Sequence, residues 1–121
     1  STSSTGSKHL DSMLELCITK YGPTDIRVGR MWIHIGNGHF RSQKFDRALE
    51  AYKSAMECGD EYTQAYATTN NNMGVVPTAY TNMGIVYWSM GKVHKAIEVL
   101  EKALSTHRQS ATMVAGPDAE L

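Results

Sequence analysis

Trp32-x-x-Ile35-Gly36-x-x-His39, then Phe45, then Ala48-x-x-x-Tyr52-x-x-Ala55 is the stretch that decides the fold. It returns 48 residues later (84 − 36) as Tyr80-x-x-Met83-Gly84-x-x-Tyr87, Val93 and Ala96-x-x-x-Leu100-x-x-Ala103. Each large position falls on a large one, and each small position on a small one. The intervening turns correspond too, Ser42-Gln43-Lys44 with Met90-Gly91-Lys92. An internal repeat of this kind sets the architecture before local propensity is consulted.

Spacings of three and four residues between apolar positions give each segment one sticky helical stripe. Gly36 and Gly84 lack a side chain, so a neighbouring helix can press close there. Ala48, Ala55, Ala96 and Ala103 do the same on the second helix of each pair, and Trp32, Tyr52, Tyr80, Tyr87 and Leu100 fill the gaps around them. Neither helical hairpin covers its own stripe, so the two must stack.

The pattern resembles the tetratricopeptide signature W-x2-L-G-x2-Y…A-x3-F, and the resemblance runs from Met13 to about Gln109. It implies an all-α fold, an α-α superhelix of stacked antiparallel helical hairpins with about two and a half repeats. The final proline of the signature is absent from both copies, where Asp60 and Arg108 stand. A half-repeat, Met13-Leu14-Glu15-Leu16-Cys17-Ile18, precedes the two copies. The stretch Leu14-x-Leu16-x-x-x-Lys20-Tyr21-Gly22-Pro23-x-Asp25-x-x-Val28 is similar to the linker of kinesin light chain repeats, which carry a Gly-Pro before a short turn and the next helix. The spacing from Gly22 to Gly36 agrees with that subfamily. Ile26 and Arg27 depart from it, standing in place of its proline-containing turn.

This register predicts helices over residues 10–20, 25–41, 44–59, 77–90 and 93–108, forming one domain over residues 10–109. Asn37 and Gly38 argue locally for a turn, and two glycines cost about 2 kcal/mol in helix propensity; the repeat register overrides both. Thr68-Thr69-Asn70-Asn71-Asn72 is a poor helix former and reads as loop. Asn72-Met73-Gly74-Val75-Val76 echoes Asn82-Met83-Gly84-Ile85-Val86, as a small duplication that lengthened the connector would. Pro77 suits the first turn of the next helix. Residues 1–9, rich in Ser and Thr, read as a disordered leader, and residues 110–121 as a disordered tail.

Twelve acidic and twelve basic residues balance in a chain of 121. That argues against a nucleic-acid binder, which shows a basic stripe. No apolar run is long enough to span a bilayer. Cys17 and Cys58 form no C-x-x-C pair, so they read as thiols in a reducing, cytoplasmic setting rather than as a disulfide framework.

His34 and His39 are five residues apart and so point to different helix faces. With no H-E-x-x-H motif, no metal site is expected. Gly36-x-Gly38 is half of a dinucleotide fingerprint, but no strand precedes it and Arg41 occupies the third glycine position. No serine or cysteine is paired with a base. The chain reads as no enzyme and as needing no cofactor. Met13, Met31, Met56 and Met83 read as fillers of core gaps.

The resemblance implies a concave face lined by the first helix of each hairpin. Ile33, His34, Asn37, Phe40 and Arg41 then line it in one copy, and Thr81, Asn82, Ile85, Trp88 and Ser89 in the next. Asn82 matches a residue with which such domains hold peptide backbone, and Asn37 matches another, since an amide both donates and accepts. Phe40, Ile85 and Trp88 suit apolar pockets, although Phe40 and Trp88 equally suit covering a further hairpin. Ile33 stands where chaperone-tail receptors carry a lysine, which argues against that ligand. The implied function is a scaffold or adaptor binding a peptide or partner helix. The alternatives are a self-associating module, whose uncovered end stripes pair, and an accessory domain of a larger protein.

Overall fold

The computed structural model describes residues 2–59 and 74–115, with side chains over 8–59 and 74–108. Five α-helices and no strand occur among the described residues: α1 (Thr2–Tyr21), α2 (Ile26–Arg41), α3 (Phe45–Met56), α4 (Val75–Ser89) and α5 (Val93–Ala115). Helices α2 and α3 form one hairpin, and α4 and α5 the next. Helix α4 lies on α3 and touches α2, while α1 covers the other side of α2. The fold is an all-α, tetratricopeptide-like stack.

The glycines sit where the register puts them. A Cβ built on Gly36 would lie 2.5 Å from the Tyr52 ring, and one on Gly84 would lie 2.7 Å from Leu100. Tyr52 and Leu100 hold the same position of the repeat, so the two hairpins close through equivalent contacts. Helix α2 runs unbroken through Gly36-Asn37-Gly38. Burial of the stripe outweighs the local turn preference.

The two sharp turns also match, atom for atom. Lys44 N–H donates to the His39 carbonyl and Gln43 N–H to that of Phe40. Lys92 N–H donates to Tyr87 and Gly91 N–H to Trp88 in the same way. Both are Schellman closures, which require a left-handed residue after the helix. Gly91 takes φ 79° without steric penalty, but Gln43 takes φ 60° with a Cβ in the way. Left-handed backbone costs an ordinary residue about 1–2 kcal/mol. Gln43→Gly is therefore expected to raise stability by about 0.5–1 kcal/mol after the added freedom of the unfolded chain is subtracted. Urea unfolding measures it, and a loss of stability would contradict this account of the turn.

Helix α2 starts on Asp25, whose carboxylate accepts from the Arg27 backbone N–H at 2.9 Å and from its guanidinium at 2.8 and 3.0 Å. The guanidinium, with the backbone N–H second, holds this carboxyl down at about 2. Arg27 also stacks over Tyr21, 3.6 Å from the ring centre. Gly22 supplies the positive φ of the connector.

Helix α3 stops at Met56, short of residue 59. Gly59 turns left-handed, and its N–H bonds to the Thr24 carbonyl at 2.7 Å, tying this end to the α1–α2 connector. Gly74 caps α4, so Pro77 falls in the first turn, where the helix needs no N–H. The helix opens two residues before the expected start.

One core cluster joins the hairpins, with Ala48, Leu49, Tyr52 and Ala55 of α3 packed against Val75, Ala79, Met83 and Val86 of α4. A second gathers Leu14, Val28, Ile35, Ala51 and Cys58 under α1. Met83 is buried and Met31 and Met56 are partly so, but Met13 is exposed.

Two boundaries differ from expectation. Helix α1 begins at Thr2, within the stretch read as a disordered leader, since nothing from Thr2 to Lys8 except Gly6 interrupts a helix already anchored at Leu10–Ile18. Helix α5 continues to Ala115, because no glycine or proline occurs before Gly116-Pro117. The loop expected at Thr68–Asn72 and the tail beyond residue 115 lie outside the described residues.

Candidate functional site

Helices α2 and α4, the first of each hairpin, bring Asn37 and Asn82 together. Asn82 Nδ2 donates to Asn37 Oδ1 at 3.1 Å, a bond between residues 45 positions apart. The same oxygen accepts from the Tyr52 hydroxyl at 2.6 Å. Tyr52 comes from α3 and is 1% exposed, so its hydroxyl is the buried root of a three-residue polar link. Burial pushes its pKa up to about 12, against the pull of Asn82 and of the nearby Arg41 charge. A phenol so held stays protonated and donating.

With Asn37 Oδ1 taken twice, the Asn37 Nδ2 and the Asn82 Oδ1 make no hydrogen bond among the described residues. Donor hydrogens on Asn37 Nδ2 remain beside the Asn82 Oδ1 acceptor. A donor beside an acceptor is the chemical complement of a peptide unit.

The other expected residues divide. His34 and Arg41 are exposed on α2. Thr81 is half-buried, and its hydroxyl donates to the Pro77 carbonyl at 2.9 Å. Ile33 is buried in the core between the hairpins, only 8% exposed, so it does not line a groove, contrary to what its place in the repeat implies. The reason is physical: α4 packs on α2 as well as on α3, and an apolar side chain at that contact is drawn inward. Phe40 is half-buried, packed against the same core, with its ring 5.8 Å from that of Phe45. Ile85 and Trp88 are exposed, Trp88 to 67%.

Two contributors escaped the sequence reading. Tyr52 stands in the repeat as a large core filler, with nothing in its position to signal the polar role of its hydroxyl. Gly29 is a third point of close approach, where a Cβ would lie 2.8 Å from that of Cys58 and 3.2 Å from Val75. Its seven-residue spacing from Gly36, two helical turns on one stripe, was the available signal. Burial pushes the Cys58 thiol up, as suits an unreactive core residue. His39, partly buried in the repeat's aromatic slot, is held below its ordinary value by the same cause.

Among the described residues no group of three or more His, Cys, Asp or Glu is placed to hold a metal ion. No described helix is long and apolar enough to cross a membrane. Residues 77–108, spanning most of the second hairpin, match the profile of the tetratricopeptide repeat family, which supports a tetratricopeptide assignment. No curated protein and no solved structure matches the chain.

Proposed function

We propose that this chain is an adaptor that holds an extended peptide across α2 and α4, with the Asn37–Asn82 pair gripping the peptide backbone. Tetratricopeptide repeats generally mediate protein–protein interaction. The single observation that carries the reading is the bond between the two asparagines, rooted on Tyr52. It leaves a donor and an acceptor poised at the junction of two hairpins. His34, Arg41 and Thr81 flank the pair on the same two helices, and Arg41 brings a permanent positive charge that favours an acidic group on the ligand. A kinesin-light-chain-like subtype gains support from the left-handed Gly22 before Pro23 and from the Asp25 cap. A reducing, cytoplasmic setting suits the two cysteines, which are not joined in a disulfide.

The test uses peptides selected from a random display library on the parent protein. Asn82→Ala is expected to weaken their binding by about tenfold or more, as loss of a backbone clamp does, with thermal melting shifted only slightly. Selected peptides that bind the parent and Asn82→Ala equally well would remove the pair from the site. A library that yields no binder at all would overturn the groove.

A further inference from the structure

We infer that the outer face of the second hairpin docks a second copy of this chain. Ile85 and Trp88 on α4, and Val93, Ile97, Leu100 and Leu104 on α5, are between 42 and 67% exposed. The α5 residues follow one another at four, three and four positions, which places them on a single stripe. Glu101, four residues after Ile97 and exposed, lies along one edge of it.

The internal repeat says what this face is built for. The residues 48 positions earlier include Phe40, Phe45, Leu49, Tyr52 and Met56, and these pack in the core shared with the second hairpin. Among the described residues the fold therefore covers this surface in the first hairpin and leaves its counterpart in the second exposed. The substitutions between the two copies say more. Ile85 stands where Asn37 stands in the first hairpin, and Leu100 where Tyr52 stands. The two members of the link that the first hairpin supplies are apolar in the second.

A face made of six large apolar side chains suits a partner with the same face. Interfaces between identical subunits are the more apolar class, and a two-fold axis needs only one self-complementary patch. Six large side chains about half exposed present on the order of 600 Å² per copy, so pairing removes on the order of 1,200 Å², the lower end for a stable interface. Trp88, the most exposed of the set, is the anchor.

Sedimentation equilibrium of the full chain over a wide concentration range tests this, with far-UV helicity recorded for every sample. The parent is expected to be a dimer, and Trp88→Glu to raise the dimer dissociation constant by about tenfold or more. If Trp88→Glu loses helicity, Ile97→Glu decides in its place. A photo-cross-linker at position 97 is expected to join two copies, whereas one at Lys53 is not. A parent that stays monomeric, or a variant that dimerises as the parent does, would overturn the inference. A monomer that binds an added amphipathic helical peptide through Trp88 would also overturn it, and would make a foreign helix the occupant. Asn82→Ala leaves the mass unchanged in every case, which separates this surface from the peptide-binding reading.

Discussion

Gly36→Leu is expected to abolish the cooperative thermal transition, whereas Gly84→Ala leaves it within a few degrees of the parent. At position 36 the first added carbon would already lie 2.5, 2.7 and 2.9 Å from three atoms of the Tyr52 ring. That ring has nowhere to go, being 1% exposed and tethered through its hydroxyl to Asn37. Overpacking costs about 1–3 kcal/mol when neighbours can yield. Here they cannot, and leucine brings three further carbons into a domain whose whole stability is of order 5–15 kcal/mol. At position 84 the obstacle is Leu100, which is 42% exposed and can swing outward. Alanine there also gains about 1 kcal/mol in helix propensity. Far-UV melting of the two variants side by side is the measurement. Parent-like melting of Gly36→Leu would refute the repeat register on which the architecture stands.

Tyr52→Ala is expected to cost about 3–5 kcal/mol, the range for emptying a buried aromatic site. Tyr52→Phe is expected to cost only about 1 kcal/mol, the net worth of one hydrogen bond. The gap follows from the site. Removing the ring opens the seam between both hairpins, where Tyr52 packs with Leu49, Ala79 and Met83. Removing only the hydroxyl leaves Asn37 Oδ1 still accepting from Asn82, so no buried acceptor is orphaned. Urea unfolding of both variants gives the two values. Equal losses would mean that the hydroxyl, not the packing, holds the hairpins together.

The architecture was legible because close approach of helices is a demand that only a few residue types meet. Gly36 and Gly84 stand out at equal offsets from alanines and aromatics, and the structure gives them equivalent neighbours. Gly29 was harder to see, because its counterpart 48 residues on is Pro77, which is no small residue. The turns were legible as a pair, but the strain at Gln43 was not, since glutamine carries no sign of a left-handed backbone. Helix α1 began earlier than expected because Ser- and Thr-rich sequence argues against helix by propensity alone. Propagation from a packed segment carries no local signature.

The candidate site was legible only in part. Asn37 and Asn82 were assigned one at a time, each from its place in its own hairpin. Their bond depends on how two hairpins sit against each other, which no window of sequence contains. Ile33 was misplaced for the same reason. Its position in α2 names a groove, but the approach of α4 decides that an isoleucine there is buried.

Stacked helical units move chiefly by slipping past one another, and greasy surfaces resist slip poorly because neighbouring registers differ little in energy. The Asn82 to Asn37 contact behaves differently. A bond of 3.1 Å loses most of its strength within an ångström of travel, so it acts as a detent that returns the two units to one alignment. The pitch of the stack is thereby set by a polar catch, while the apolar seam supplies the adhesion.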